Sequence, residues 1–259
     1  EHIRFIWSLA EYLRGDYKQS EYGRVILPLT VLRRLDQVMA PKRNEVMQAY
    51  QENAPKYKNI DFILKHASKP LKFYNISAFD FDNLRADPEN VAQNLIKYTE
   101  GFSDNVKEII KHFNFEMQID RLNKAGLLFF MIEKFAEIDL HPDKVSNIQM
   151  GYIFEELIRR FSEQSNETAG EHFTPREVIR LMTDILFIQD SDILGQKSIV
   201  RKMYDPACGT GGMLAIAEEY VRKHNPDARL EVYGQEINPE SYAICGADML
   251  IKGLESKNI

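Results

Sequence analysis

Between residues 3 and 163 the apolar positions return every three or four residues, the spacing that lays them along one side of an α-helix. Residues 3–14 form one such stretch, with Ile3, Ile6, Trp7, Ala10 and Leu13 on one face and Gly15-Asp16 closing it. A second follows, with Val25, Leu29, Leu32, Val38 and Met39 as core positions and Pro28 near its start, where a missing N–H is tolerated. Residues 53–80 break the rhythm at Pro55 and Pro70; a short helix near 60–67 is predicted there, then a packed connector. The aromatics of this stretch, Tyr57, Phe62, Phe73, Tyr74, Phe79 and the adjoining Phe81, read as core anchors rather than base-stacking platforms. Helices are predicted at 88–100, opened by Asp87 as cap and Pro88, and at 103–112, 115–123 and 126–138. Asn147–Glu163 is a strongly periodic one, with Met150, Ile153, Phe154, Leu157, Ile158 and Phe161 inside.

The pattern changes after residue 163. Glu163–Gly170 is polar and reads as a linker. Thr174 is then a good N-cap and Pro175 a good first helical residue. Val178, Ile179, Leu181, Met182, Ile185 and Leu186 predict a buried helix. Ser198–Tyr204 reads as a short strand, and the helix after it puts Met213, Ile216, Ala217 and Tyr220 on one face. A second strand spans Leu230–Glu236. Asn238 and Pro239 then open a helix running through Tyr242, Ala243, Ala247 and Leu250 to Gly253.

Between the first strand and its helix stands Asp205-Pro206-Ala207-Cys208-Gly209-Thr210-Gly211-Gly212. Glycines there permit positive φ and remove side chains that would hold a ligand away, while the first N–H groups of the helix face that ligand. Glu236 ends the next strand 25 residues beyond Gly211, close to the spacing at which a carboxylate reaches two vicinal ribose hydroxyls. A bare glycine turn without ligand is the bland alternative, and strand, turn, helix, strand and terminal Glu together weigh against it. The G-x-G-x-x-G spacing is not met and no Gly-Lys-Ser/Thr follows, so neither the dinucleotide nor the Walker A signature applies.

Charge and cysteines narrow the picture further. A net charge of −6 and a pI near 5.6 argue against a broad basic surface, hence against tight DNA binding by this chain alone. Arg24, Arg33, Arg34, Lys42 and Arg43 surround the second helix, either as a solvated face or as a contact to phosphate or a partner. Cys208 and Cys245 have neither metal-ligand nor disulfide-framework spacing, read as reduced thiols, and predict no metal site. Cys208 fits the loop as a small side chain, not as a nucleophile. No apolar run reaches membrane-spanning length and no signal peptide opens the sequence, so a cytoplasmic protein is expected; a start on Glu1 reads as a trimmed amino terminus.

The loop Asp205–Gly212 resembles the cofactor loop of amino-group DNA methyltransferases that use S-adenosylmethionine. Gly170-Glu171-His172-Phe173-Thr174-Pro175-Arg176 resembles the segment those enzymes place against the methionine end of the cofactor. With Phe5–Gly15, the combination resembles the modification subunit of type I restriction–modification systems, over essentially the whole chain. The resemblance implies an α-helical amino-terminal domain, 1–163, followed by the start of a truncated α/β Rossmann-like methyltransferase domain, 164–259. It implies cofactor contacts at Glu171, His172, Phe173, Thr174, Pro175, Arg176, Asp205, Gly209, Thr210, Gly211, Gly212 and Glu236. A hydroxyl and free N–H groups at a helix start suit the methionine carboxylate, and an aromatic ring suits the sulfonium.

Implied partners are double-stranded DNA with an adenine target, a specificity subunit, a restriction subunit and a second copy of the modification subunit. The family's Asn-Pro-Pro-aromatic segment would hold a flipped base and orient its amine for methyl transfer. No Pro-Pro pair exists here, and Asn225-Pro226 and Asn238-Pro239 lack the rest, so no catalytic residue is assigned and this chain alone is expected to bind the cofactor weakly or not at all and to be inactive. Other readings are cytosine amine methylation, a nicotinamide-dependent dehydrogenase, which the glycine spacing opposes, and a non-catalytic assembly module for a specificity subunit.

Overall fold

The computed structural model describes residues 1–164, 174–190 and 192–259. In the first 164 the described helices are α1 His2–Leu9, α2 Gly23–Met39, α3 Arg43–Asn53, α4 Asp61–Ala67, α5 Phe81–Arg85, α6 Val91–Glu100, α7 Asp104–His112, α8 Phe115–Lys124, α9 Leu128–Glu137 and α10 Asn147–Gln164. Beyond them come α11 Arg176–Ile188, α12 Asp192–Gly195, β1 Val200–Asp205, α13 Gly212–His224, β2 Arg229–Gly234 and α14 Pro239–Ile251. The strands pair in parallel, from Val200 opposite Arg229 to Asp205 opposite Gly234, with α13 as the crossover.

Several boundaries differ from the sequence reading for local reasons. The first helix tightens after Leu9 into a 3₁₀ turn, Ala10–Leu13. Helices α3 and α5 were not anticipated; α5 is started by Asp80, whose Oδ1 accepts from Asn83 N at 2.7 Å. Asp87 does not cap a backbone. Its carboxylate takes the side-chain amides of Asn90 and Asn94, at 3.0 and 2.9 Å, and Pro88–Asn90 form a 3₁₀ turn before α6. Helix α10 opens with a reciprocal cap, Gln149 N to Ser146 Oγ at 3.2 Å and Ser146 N to Gln149 Oε1 at 2.9 Å. Of the connector aromatics, Phe73, Tyr74 and Phe81 are buried, whereas Tyr57 and Phe62 are exposed.

Of the basic residues around α2, Arg33 and Arg34 are buried, Arg24 is exposed, and Lys42 and Arg43 are intermediate. Arg33 is buried and donates to the carbonyls of Ala136 (2.7 Å) and Ile138 (3.0 Å). Arg34 is fully buried and donates to the carbonyls of Val145 (2.8 Å) and Leu140 and to Asn147 Oδ1 (2.7 Å). Arg43 pairs with Asp36 and Asp80, Arg24 with Glu240, and Lys42 with Glu45. Guanidinium forks thus satisfy main-chain carbonyls in the segment that joins α9 to α10.

Two hydrophobic cores are present among the described residues. The large one collects α1 to α10 and also Ala243, Ile244, Ala247, Leu250 and Ile251 of α14. The small one holds Leu214, Ala217 and Val221 of α13, Leu230 and Val232 of β2, and Cys245 and Met249 from the other side of α14. Helix α14 therefore belongs to both cores. Helix α13 is turned relative to expectation: Leu214, Ala217 and Val221 face the sheet, and Met213 and Tyr220 sit at its edge.

The largest departure is α11. Only Ile179, Thr183 and Phe187 are buried, while Val178, Leu181, Met182, Ile185 and Leu186 are exposed, Leu181 to 60%. The periodicity that predicts burial is present. The helix packs through a narrow strip against α13, and the wider apolar stripe has no cover among the described residues.

Candidate functional site

The two strands end side by side, and the chain turns from β1 into α13 over the carboxyl end of β2. Backbone bonds fix the turn: Gln235 N to Asp205 O at 2.9 Å, Cys208 N to Gln235 O at 3.0 Å, and Gly211 N to Cys208 O at 2.8 Å. Asp205 Oδ1 accepts from Ala207 N at 3.1 Å. Gly209 and Gly211 take φ of +54° and +83°, the region glycine enters without penalty.

The glycines do different things. A Cβ at Gly209 would meet nothing within 4 Å, so this residue faces open space where a ligand can approach the backbone. A Cβ at Gly211 would lie 2.5 Å from Cys245 Sγ, and one at Gly212 would lie 2.9 Å from Ile179 Cδ1. Those two also pack closely against α14 and α11. Buried Cys208 and Cys245 share a hydrogen bond that lowers the Cys208 thiol from its ordinary pKa and raises that of Cys245.

Glu236 stands just past the end of β2. Its Oε2 accepts from Gly209 N at 2.9 Å and its Oε1 from Asn238 N at 2.7 Å. A carboxylate offers about four acceptor sites, so two remain for a diol. Next to it Ile237 is 97% exposed, an apolar side chain beside a polar anchor. Sequence reading passed over Ile237, although an apolar residue in a polar turn is itself a signal.

A cavity of about 410 Å³ opens on the other side of the loop. Its walls include Asp205, Gly209, Thr210 and Gly212 of the loop, Thr174 and Met182, and Glu155, Asp248 and Lys252 from α10 and the end of α14. Thr174 reaches this wall, but α11 starts one residue later than expected. Pro175 occupies the cap position, with its carbonyl accepting from Val178 N (3.0 Å) and Ile179 N (3.1 Å).

Arg176 does not line that cavity. Its guanidinium donates to Glu155 at 2.7 Å and Glu219 at 2.9 Å and lies 4.2 Å from the centre of the Tyr152 ring, tying α10, α11 and α13 together. Glu171, His172 and Phe173 lie outside the described residues. Among the described residues no group of three or more His, Cys, Asp or Glu side chains could hold a metal ion, and no helix is long and apolar enough to cross a membrane.

Comparison with known proteins gives a consistent result. Residues 3–135 match the HsdM N-terminal domain family and residues 146–259 the N-6 DNA methylase family. The methylase subunit of the type I restriction enzyme MjaIX from Methanocaldococcus jannaschii is 24% identical over 96% of this chain and 45% of its own length. That of MpnII from Mycoplasma pneumoniae is 24% identical over 98% of this chain and 50% of its own length. The chain thus spans about half the length of the curated relatives it matches. The crystal structure of a type I restriction–modification methyltransferase subunit from Streptococcus thermophilus superposes with a TM-score of 0.72 at 18% identity, over 99% of this chain and 56% of that one.

Proposed function

The chain belongs to the HsdM N-terminal domain family, that of type I restriction-enzyme methylase subunits, and from that premise we propose that it holds S-adenosylmethionine for the methylation of DNA. In the whole protein the methyl group goes to the exocyclic amine of adenine. The observation that carries this reading is the bond between Glu236 and Gly209, which sets the carboxylate that ends β2 against the open glycine of the loop. Two of its lone-pair sites are free for ribose hydroxyls, Ile237 offers an apolar surface for the adenine ring, and the start of α13 adds its partial positive charge near the loop.

The bound cofactor would supply an electrophilic methyl on a sulfonium. The residues of this chain bind and orient it: Gly209, Thr210 and Asp205 from the loop, Thr174 and Pro175 from the start of α11, and Glu171, His172 and Phe173 before it. Gly211 and Gly212 contribute by keeping the loop tight against α14 and α11, and Arg176 by fixing where α11 begins. With no Pro-Pro pair in these 259 residues, holding the target base falls to none of them. DNA, a specificity subunit, a restriction subunit and a second methylase subunit are the proposed partners. The net charge of −6 suits DNA contacts shared among subunits.

Calorimetric titration of the intact protein with S-adenosylmethionine, before and after one substitution, tests the reading. Gly209→Asp puts a carboxylate into space that is open, in a left-handed conformation Asp tolerates. The fold is retained and binding is lost. Equal affinity of both proteins would remove the loop from the site.

A further inference from the structure

The two cysteines of the sequence, Cys208 in the glycine loop and Cys245 on α14, have no part in the reading above. They are buried, 7% and 0% exposed, and both belong to the small core. Two glycines seat the sulfurs. A Cβ on Gly234 would lie 2.8 Å from Cys208 Sγ, and one on Gly211 would lie 2.5 Å from Cys245 Sγ. The thiols hydrogen-bond to each other, and that bond holds the Cys208 thiol below its ordinary pKa against burial and the Asp205 and Glu236 carboxylates. Among the described residues Cys208 lines the cavity of about 410 Å³, and Cys245 does not. A small solute in the cavity therefore meets one sulfur and not the other. A low thiol pKa, an open approach and a second thiol in contact together make a cysteine readily and reversibly oxidised.

We propose that Cys208 and Cys245 are a redox modification site, with a hydroperoxide as substrate and a disulfide between the loop and α14 as product. The Cys208 thiolate sulfur attacks one peroxide oxygen. The O–O bond breaks, and the departing hydroxide takes up the proton that Cys208 released. The Cys245 sulfur then attacks the sulfur of the resulting sulfenic acid. The S–S bond forms, the S–O bond breaks, and the hydroxyl leaves with the Cys245 proton as a second water. The two thiols lose two electrons and the peroxide gains them. A covalent bond is shorter than a contact between two thiols, so the link draws Cys208 towards α14. Cys208 N is held by Gln235 O at 3.0 Å, and the next N–H, that of Gly209, is the one Glu236 accepts at 2.9 Å. The link thus disturbs the loop where it meets the carboxylate and lowers cofactor affinity. This second effect rests on the reading that the loop holds S-adenosylmethionine; the disulfide itself does not.

The test uses the intact protein, reduced and then treated with hydrogen peroxide, with remaining thiols alkylated before trypsin digestion. Mass spectrometry should find peptides 203–222 and 230–252 joined, and dithiothreitol should part them. Cys245→Ala forms no link and leaves a sulfenic acid on Cys208, read as a dimedone adduct, whereas Cys208→Ala leaves Cys245 unmodified. In calorimetry the linked protein binds S-adenosylmethionine about tenfold more weakly than the reduced one, a size usual for coupled sites. By reciprocity, saturating S-adenosylmethionine raises the reduction potential of the pair in glutathione buffers by about 30 mV, the two-electron equivalent of that factor. Absence of the joined peptides, or a sulfinic acid in their place, overturns the proposal and leaves the cofactor reading standing. A link that changes neither affinity nor potential overturns its effect on the loop. If the reduced protein binds no S-adenosylmethionine, the cofactor reading fails, and the joined peptides alone decide the disulfide.

Discussion

Gly209 and Gly211, two residues apart, answer to different constraints. Both have positive φ, so alanine strains either by about 1 kcal/mol. At Gly211 the new methyl also lands on Cys245, and the total destabilisation rises to about 2–4 kcal/mol. Urea unfolding of the two alanine variants should show that order, with Gly209→Ala the milder in stability and the more damaging to cofactor affinity. Glu236→Gln removes the charge while keeping the shape; a charge-assisted bond is worth about 1.5–3 kcal/mol, so affinity falls roughly 10- to 100-fold in calorimetry. On α10, bonds from Arg159 first, then Arg160, hold the Glu156 carboxyl down at about 2. Because its folded pKa is depressed, its contribution is complete above the ordinary carboxylate range and is lost as pH falls towards 2. The melting-temperature difference between the unaltered chain and Glu156→Gln should accordingly be largest near neutrality and vanish near that pH. His172 and Phe173 could be read only through family resemblance, since a histidine or phenylalanine in a polar segment has no pattern of its own. Glu236 could be read from spacing, because a strand end fixes where a side chain emerges.

At the scale of elements, periodicity located most helices, and capping chemistry explains where several start. It erred on α11 because periodicity reports which face is apolar and is silent on what covers that face. Replacing Leu181 and Ile185 together by glutamate tests this point. With both exposed near 60%, the double variant should melt within about 2 °C of the unaltered chain, whereas a buried pair would cost several kcal/mol. The variant should also bind less of a hydrophobic dye, since a contiguous apolar stripe has been interrupted. The charged residues of α2 carry a similar lesson. Arg33, Arg34 and Arg43 look like a basic surface in a linear reading, but their carbonyl and carboxylate partners come from distant segments.

For the whole molecule, the decisive feature is the placement of α14. The proposed division at residues 163 and 164 follows the chain, yet the helical core is completed by Ala243, Ile244, Ala247, Leu250 and Ile251. Gly246 allows the close approach, since a Cβ there would lie 2.9 Å from Ile109 Cγ1 of α7. Residues 1–163 alone should therefore expose part of that core and unfold at lower urea than the same helices in the full chain, with tryptophan fluorescence from Trp7 as the probe. Equal midpoints would show that α14 contributes nothing to the helical core. Because Asn238, the cap of α14, donates its N–H to Glu236, the helical core also holds in position the carboxylate proposed to bind the cofactor.

The amino-acid sequence by itself determined the helical character of the first 160 or so residues, the strand–loop–helix–strand unit and the acidic residue that closes it. These depend on neighbours in the chain: the period of apolar positions, the caps, and the backbone freedom of glycine. Only the tertiary structure decided which glycine faces open space, that Arg176 joins helices while Lys252 reaches the cavity, that the apolar stripe of α11 has no cover among the described residues, and that α14 serves two cores. Each of these depends on which distant side chain arrives at a given face, and residue spacing along the chain does not specify that.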